Sequence, residues 1–137
     1  MEEVVHARGH EHVAAAHEST FEVTTDDWLT PAGDCIVGVE ADRAPADFDD
    51  AFVDACRDPA ATITLTLDVD GRSHDVHARG HPDLTFDSER SAVVRTSTYV
   101  DDRTVAVGAD AAATDLDREM VAALADGAAL TLTLAVE

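Results

Sequence analysis

The hexapeptide Val5-His6-Ala7-Arg8-Gly9-His10 recurs letter for letter as Val76-His77-Ala78-Arg79-Gly80-His81. Trp28-Leu29 falls opposite Tyr99-Val100 at the same spacing. After a small gap, residues 36–58 align with 104–126 with ten identities in 23 positions. Chance gives about one match in ten, even in a chain rich in Ala, Asp and Val. Thr64-Leu65-Thr66-Leu67 over Thr131-Leu132-Thr133-Leu134 completes the correspondence. The 137 residues therefore read as one domain, 1–137, made of two internal repeats at about 3–70 and 72–137.

Each copy predicts the same elements. A strand opens it at Glu3–Arg8 or Ser73–Arg79, followed by extended stretches near Thr20–Thr24 or Ala92–Thr96. A third strand falls at Cys35–Glu40 or Thr104–Gly108. Phe48, Phe52, Ala55 and Cys56 then recur at helical spacing, matched by Leu116, Met120 and Leu124, with Asp47 and Asp115 as N-caps. The last strand alternates strictly: Ile63, Leu65, Leu67 and Val69 point one way, as do Leu130, Leu132, Leu134 and Val136. Asp70-Gly71 is a type I′ hairpin signal that joins the copies.

Neither copy is long enough for a core of its own, so one shared core with pseudo-two-fold symmetry is expected. The predicted class is mainly β with two helices (α+β). The expected architecture is a duplicated, closed β-barrel similar to the cradle-loop and double-psi barrels, and an open α+β sandwich is the alternative.

Composition then limits partners. There are 29 acidic residues against nine basic ones, all Arg, giving a formal charge of −20; Lys, Asn and Gln are absent. Disorder is excluded by 45% hydrophobic residues in clear periods. The acids run from Glu2 to Glu137 rather than in a block, so they are not a binding tail. Such a surface predicts a folded, halophilic protein in molar salt, where the Debye length is about 3 Å and self-repulsion is screened. No apolar run predicts a membrane span, and the acidic start does not read as a signal peptide. Cys35 and Cys56 form no CxxC pair, which predicts a reducing, cytoplasmic location.

Three stretches carry a likeness to a known family. They are Arg8-Gly9-His10 with His17-Glu18-Ser19-Thr20-Phe21-Glu22; Leu29-Thr30-Pro31-Ala32-Gly33-Asp34-Cys35; and Asp102-Arg103-Thr104 with Ala109-Asp110 and Asp115-Leu116-Asp117-Arg118. Together they resemble the archaeal family called domain of unknown function 371. Glu11-His12 stands where a Pro-Asn pair is expected. The resemblance implies an archaeal, cytoplasmic, single-domain protein, here a haloarchaeal member, and implies no activity.

Two clusters are candidates for chemistry. Arg8 and His10 with their counterparts Arg79 and His81 offer guanidinium and imidazole groups to an anionic small ligand. His10, His17, Asp34 and Cys35 are metal-ligand types concentrated in the first copy, a candidate site for a divalent transition metal in a metal-dependent enzyme. Of the histidines present only there, His12 and His17 have Asp83 and Ser88 as counterparts. Gly-rich phosphate loops, HExxH and GxSxG are all missing. A nucleic-acid or ribonucleoprotein role rests on fold analogy alone, with few aromatics available for base stacking. The favoured expectation is a small-ligand (anion) binding domain.

Overall fold

The central strands explain the strongest pattern in the chain. In the computed structural model, which describes residues 1–137, β4 (Thr62–Val69) and β8 (Ala129–Val136) are the inner pair of an antiparallel four-stranded sheet. Their alternating Ile63, Leu65, Leu67, Val69 and Leu130, Leu132, Leu134, Val136 are all buried. Each such side chain removed from water contributes about 1.5–3 kcal/mol. The outer strands are β1 (Glu2–Arg8) beside β8 and β5 (Arg72–Arg79) beside β4, giving the order β1-β8-β4-β5. Asp70 and Gly71 adopt φ 51° and 77°, the left-handed pair of a type I′ turn between β4 and β5.

A second sheet is built from the shorter strands. β2 (Thr20–Thr24) and β6 (Ser91–Arg95) pair antiparallel at its centre. β3 (Ile36–Gly38) and β7 (Thr104–Ala106) lie parallel to them on the outside, in the order β3-β2-β6-β7. Phe21 and Val23 of β2, with Ala92 and Val94 of β6, join the β4 and β8 side chains in one apolar core. Helix α1 (Asp50–Cys56) and helix α2 (Arg118–Ala125) add Phe52, Val53 and Cys56, and Met120, Val121 and Leu124. The same order, three strands, a 3-10 turn, a helix and a strand, runs through the chain twice.

The molecule is therefore α+β with two sheets, and it is not the closed barrel expected from the sequence. The sheets meet at both edges through single bridges only, Arg8 with Val39 and Arg79 with Val107. Beyond each bridge the backbone turns through a left-handed residue, Glu40 at φ 54° and Gly108 at φ 60°, so no continuous ladder forms. The same turns shorten β3 and β7 relative to the strands expected at Cys35–Glu40 and Thr104–Gly108. The chain then plugs the outer strands with a side chain. The His6 N–H donates to the Asp42 carboxylate and the Asp42 N–H to the His6 carbonyl; Asp110 makes the same two bonds with His77.

Helix starts also differ from expectation. Asp49 and Asp117 are the N-caps, accepting from the Ala51 and Glu119 N–H groups. Asp47 and Asp115 instead close a preceding 3-10 turn by accepting from Ala44 and Ala112. Phe48 is extended at the junction and packs on Phe52 and Phe86.

Two glycines set how closely the halves approach. A Cβ on Gly9 would overlap the Leu124 carbonyl at the end of α2, and one on Gly80 would overlap the Cys56 carbonyl at the end of α1. Gly9 donates its N–H to Ala128, while Gly80 and His81 donate to Ala61 and Cys56. Glycine is needed at both points because backbone meets backbone.

Candidate functional site

The face of the second sheet turned away from the core is the chemically unusual surface. Side chains alternate along a strand, so Thr20, Glu22 and Thr24 of β2, with Ser91, Val93 and Arg95 of β6, point opposite to Phe21, Val23, Ala92 and Val94. Glu22 pairs with Val93 at the centre of this ladder. A sheet face away from the core is usually wet, yet Glu22 is 8% exposed, and Thr24, Ser91, Val93 and Thr104 are buried as well. The connecting segments around Cys35, Ser88 and Asp101–Arg103 reach over this face and supply its partners.

The buried groups and the side chains that cover them form one network. Arg103 Nη1 lies 3.7 Å from Glu22 Oε1, and its Nη2 lies 3.3 Å from Asp101 Oδ2. Arg95 Nη2 meets the same Asp101 oxygen at 2.9 Å and donates from Nε to Thr104 Oγ1. The Tyr99 ring lies 4.9 Å from the Arg95 guanidinium. Burial works to raise the Asp101 pKa. The Thr104 hydroxyl, the Arg103 N–H and the two guanidiniums overcome it and hold the carboxyl at about 2. Burial and then the nearby Glu22 charge push the Cys35 thiol up, which keeps it protonated and poorly nucleophilic. Its Sγ sits 3.9 Å from Glu22 Oε1.

A pocket of about 500 Å³ opens in front of Glu22, with Trp28, Ile36, Ser88, Arg90 and Arg103 on its walls. Arg90 forks onto Asp26, with Nε to Oδ1 at 3.0 Å and Nη2 to Oδ2 at 2.6 Å, and its guanidinium lies 6.0 Å from the Trp28 ring centroid. The Arg90 hydrogen bonds are the largest influence on Asp26 and lower its pKa. Trp28 and Tyr99, at matching positions in the two copies, are both more than half exposed and each lies against an Arg. A second recess of about 580 Å³ beside α1 has Phe48, Arg57 and Phe86 on its walls. The Glu22 pocket is the better candidate because a nine-tenths-buried carboxylate faces it.

The sequence-derived candidates lie elsewhere. Arg8 is level with Ala129, whereas Arg79 is level with Thr62, which pairs with Glu137 at the other end of β8. Eight residues along and three strands across separate them by about 30 Å. Arg8, His10, Arg79 and His81 therefore do not converge into one anion site, a correction that follows from β1 and β5 running antiparallel on opposite sides of the sheet. Arg8 instead pairs with Glu40, and Arg79 lies over Gly108, where a side chain would meet its guanidinium. His10 Nδ1 accepts the His12 N–H at 3.1 Å, and His81 Nδ1 accepts the Asp83 N–H at 3.0 Å.

The metal-ligand candidates come together only in part. His17 Nδ1 accepts the Ser19 and Thr20 N–H groups, the turn bond that the Ser88 hydroxyl makes to Arg90 and Ser91 in the other half. Asp34 is beside it, its carbonyl accepting from Ala16 and His17, while Cys35 faces Glu22. His10 stacks with His12 near the end of α2, away from these three. No three His, Cys, Asp or Glu side chains are grouped to hold a metal ion.

Glu22, Arg90, Arg95, Asp101 and Arg103 were not singled out as a site from the sequence. Their signal was a strand pair, Thr-Phe-Glu-Val-Thr and Ser-Ala-Val-Val-Arg, that is apolar on one face and mixed on the other. Such a pattern reads as an ordinary half-wet strand until the covering loops are seen.

Comparison with known proteins places the chain. Residues 5–137 match the family model described as a domain of unknown function (DUF371). An uncharacterised protein from the archaeon Methanocaldococcus jannaschii is 36% identical over 136 residues, covering 99% of this chain and 100% of the relative. No helix here is long and apolar enough to cross a membrane. With that coverage and identity, and motifs from residue 8 to residue 118 falling inside the match, the chain belongs to the DUF371 family.

Proposed function

We propose that this protein is a small-ligand-binding domain whose ligand occupies the pocket over the outer face of the second sheet. The observation that carries the reading is Glu22. Glu22 is 8% exposed at the centre of the sheet; Oε1 has the 3.7 Å and 3.9 Å contacts to Arg103 and Cys35, while Oε2 has no protein hydrogen bond and stays open to the pocket. A largely enclosed carboxylate with one oxygen open to the pocket is placed to accept from a ligand's N–H or O–H group. Binding is favoured over covalent catalysis because the nearby nucleophiles are committed: Ser88 caps a turn and the Cys35 thiol stays protonated.

Trp28 is the one tryptophan of the chain and lies on the pocket wall, so its emission reports occupancy directly. Titration with cationic, anionic and neutral metabolites in concentrated KCl is expected to give a saturable change with at least one class, weakened by Glu22→Ala. No saturable change with any class overturns the reading.

The same proposal extends to setting and build. The chain is read as one domain of two repeats, about 3–70 and 72–137, supported by the repeated element order and the matched edge bridges. The −20 charge and the absence of Lys support a halophilic, cytoplasmic protein of haloarchaeal origin.

A further inference from the structure

The charge and shape of the pocket narrow what it takes, an inference that rests on the binding reading above. Five carboxylates border it, Glu22, Asp26, Asp87, Glu89 and Asp102, against two guanidiniums, Arg90 and Arg103. Neither guanidinium is free for an anion, since Arg90 is forked onto Asp26 and Arg103 spans Asp101 and Glu22. An incoming phosphate or carboxylate would have to displace one of those pairs and sit among the remaining acids. The unbonded group on the wall is an acceptor, Glu22 Oε2.

Shape adds to charge. The Trp28 ring is 54% exposed, and it already carries the planar Arg90 guanidinium 6.0 Å from its centroid. Tyr99 and Arg95 show the same pairing at 4.9 Å across the sheet. An aromatic face next to a carboxylate suits a flat, delocalised nitrogen cation, which stacks and presents two parallel N–H groups to one carboxylate. A compact ammonium matches less well, because it is strongly hydrated and presents no fork. We propose that the pocket binds a planar amidinium or guanidinium group, with Glu22 Oε2 accepting from its N–H groups and Trp28 receiving its flat face. In concentrated salt, where charge beyond about 3 Å is screened, contact geometry of this kind still discriminates.

Three probes of nearly equal shape test it in the full chain: benzamidine, its neutral isostere benzamide, and the anion benzoate. Binding is followed by calorimetry and Trp28 emission in concentrated KCl. Benzamidine is expected to bind saturably, with benzamide and benzoate at least about tenfold weaker, and Glu22→Gln is expected to raise the benzamidine Kd at least about tenfold. Trp28→Leu, at a half-exposed position that leaves the core intact, is expected to weaken benzamidine as read by calorimetry. Benzoate binding as tightly as benzamidine, or Glu22→Gln binding it unchanged, overturns the cation assignment while leaving a ligand pocket in place. Silence from all three probes, together with silence in the wider metabolite titration, overturns the pocket itself.

Discussion

Asp101 organises the polar face, because one carboxylate collects the Thr104 hydroxyl, the Arg103 N–H and two guanidiniums. Its pKa in the fold, about 2, lies below its ordinary value of 3.8. A depressed carboxyl contributes stability that is complete above the unfolded pKa and is lost as pH falls through the folded one. Wild type is therefore expected to lose stability between about pH 4 and about pH 2 faster than Asp101→Asn, as read by thermal melts at constant KCl. The variant starts weaker at neutral pH, and the two curves converge near the acid end. Single residues were the least legible part of the sequence. The repeated Val-His-Ala-Arg-Gly-His motif stood out, but most of its polar groups serve the fold: the backbone N–H of the first His donates to Asp42 or Asp110, Arg8 pairs with Glu40, and the second His accepts a turn N–H. Glu22 gave no warning, since a carboxylate between Phe21 and Val23 looks solvated until the covering segments are placed.

At the level of elements, the strands with a consistent environment were legible and the short ones were not. β4 and β8 announce themselves because every second side chain enters the same core. β3 and β7 are three residues long and end where Glu40 and Gly108 turn left-handed, which apolar spacing does not encode. The helices were recognised by the Phe48, Phe52, Ala55, Cys56 spacing, yet Phe48 reaches the core from an extended junction. Two aspartates stand two residues apart before the helix: Asp47, read as the cap, closes the 3-10 turn, and Asp49 starts the helix. Asp49→Ala is expected to cost about 1 kcal/mol in a denaturant titration, through loss of the bond to the Ala51 N–H. Asp117→Ala is expected to match it at α2.

For the whole molecule, the doubled element order was visible in the sequence, whereas the way the sheets meet was not. Single bridges at Val39 and Val107 rather than ladders distinguish two sheets from a barrel, and that depends on two backbone turns. Net charge acts at this scale too. With −20 spread over the surface, the melting temperature is expected to climb steeply as KCl rises from about 0.1 M to about 3 M, and an unchanged midpoint would refute the halophilic reading. The two close-packed glycines carry a consequence for how such a chain comes to be folded. Gly9 fits against the helix of the second half, and Gly80 against the helix of the first. Each half thus holds a key cut for the other and a lock it cannot fill. A first half made alone would leave Gly9 without the Leu124 carbonyl it packs against and α1 without Gly80, so the order of synthesis leaves both fits open until the second half is made.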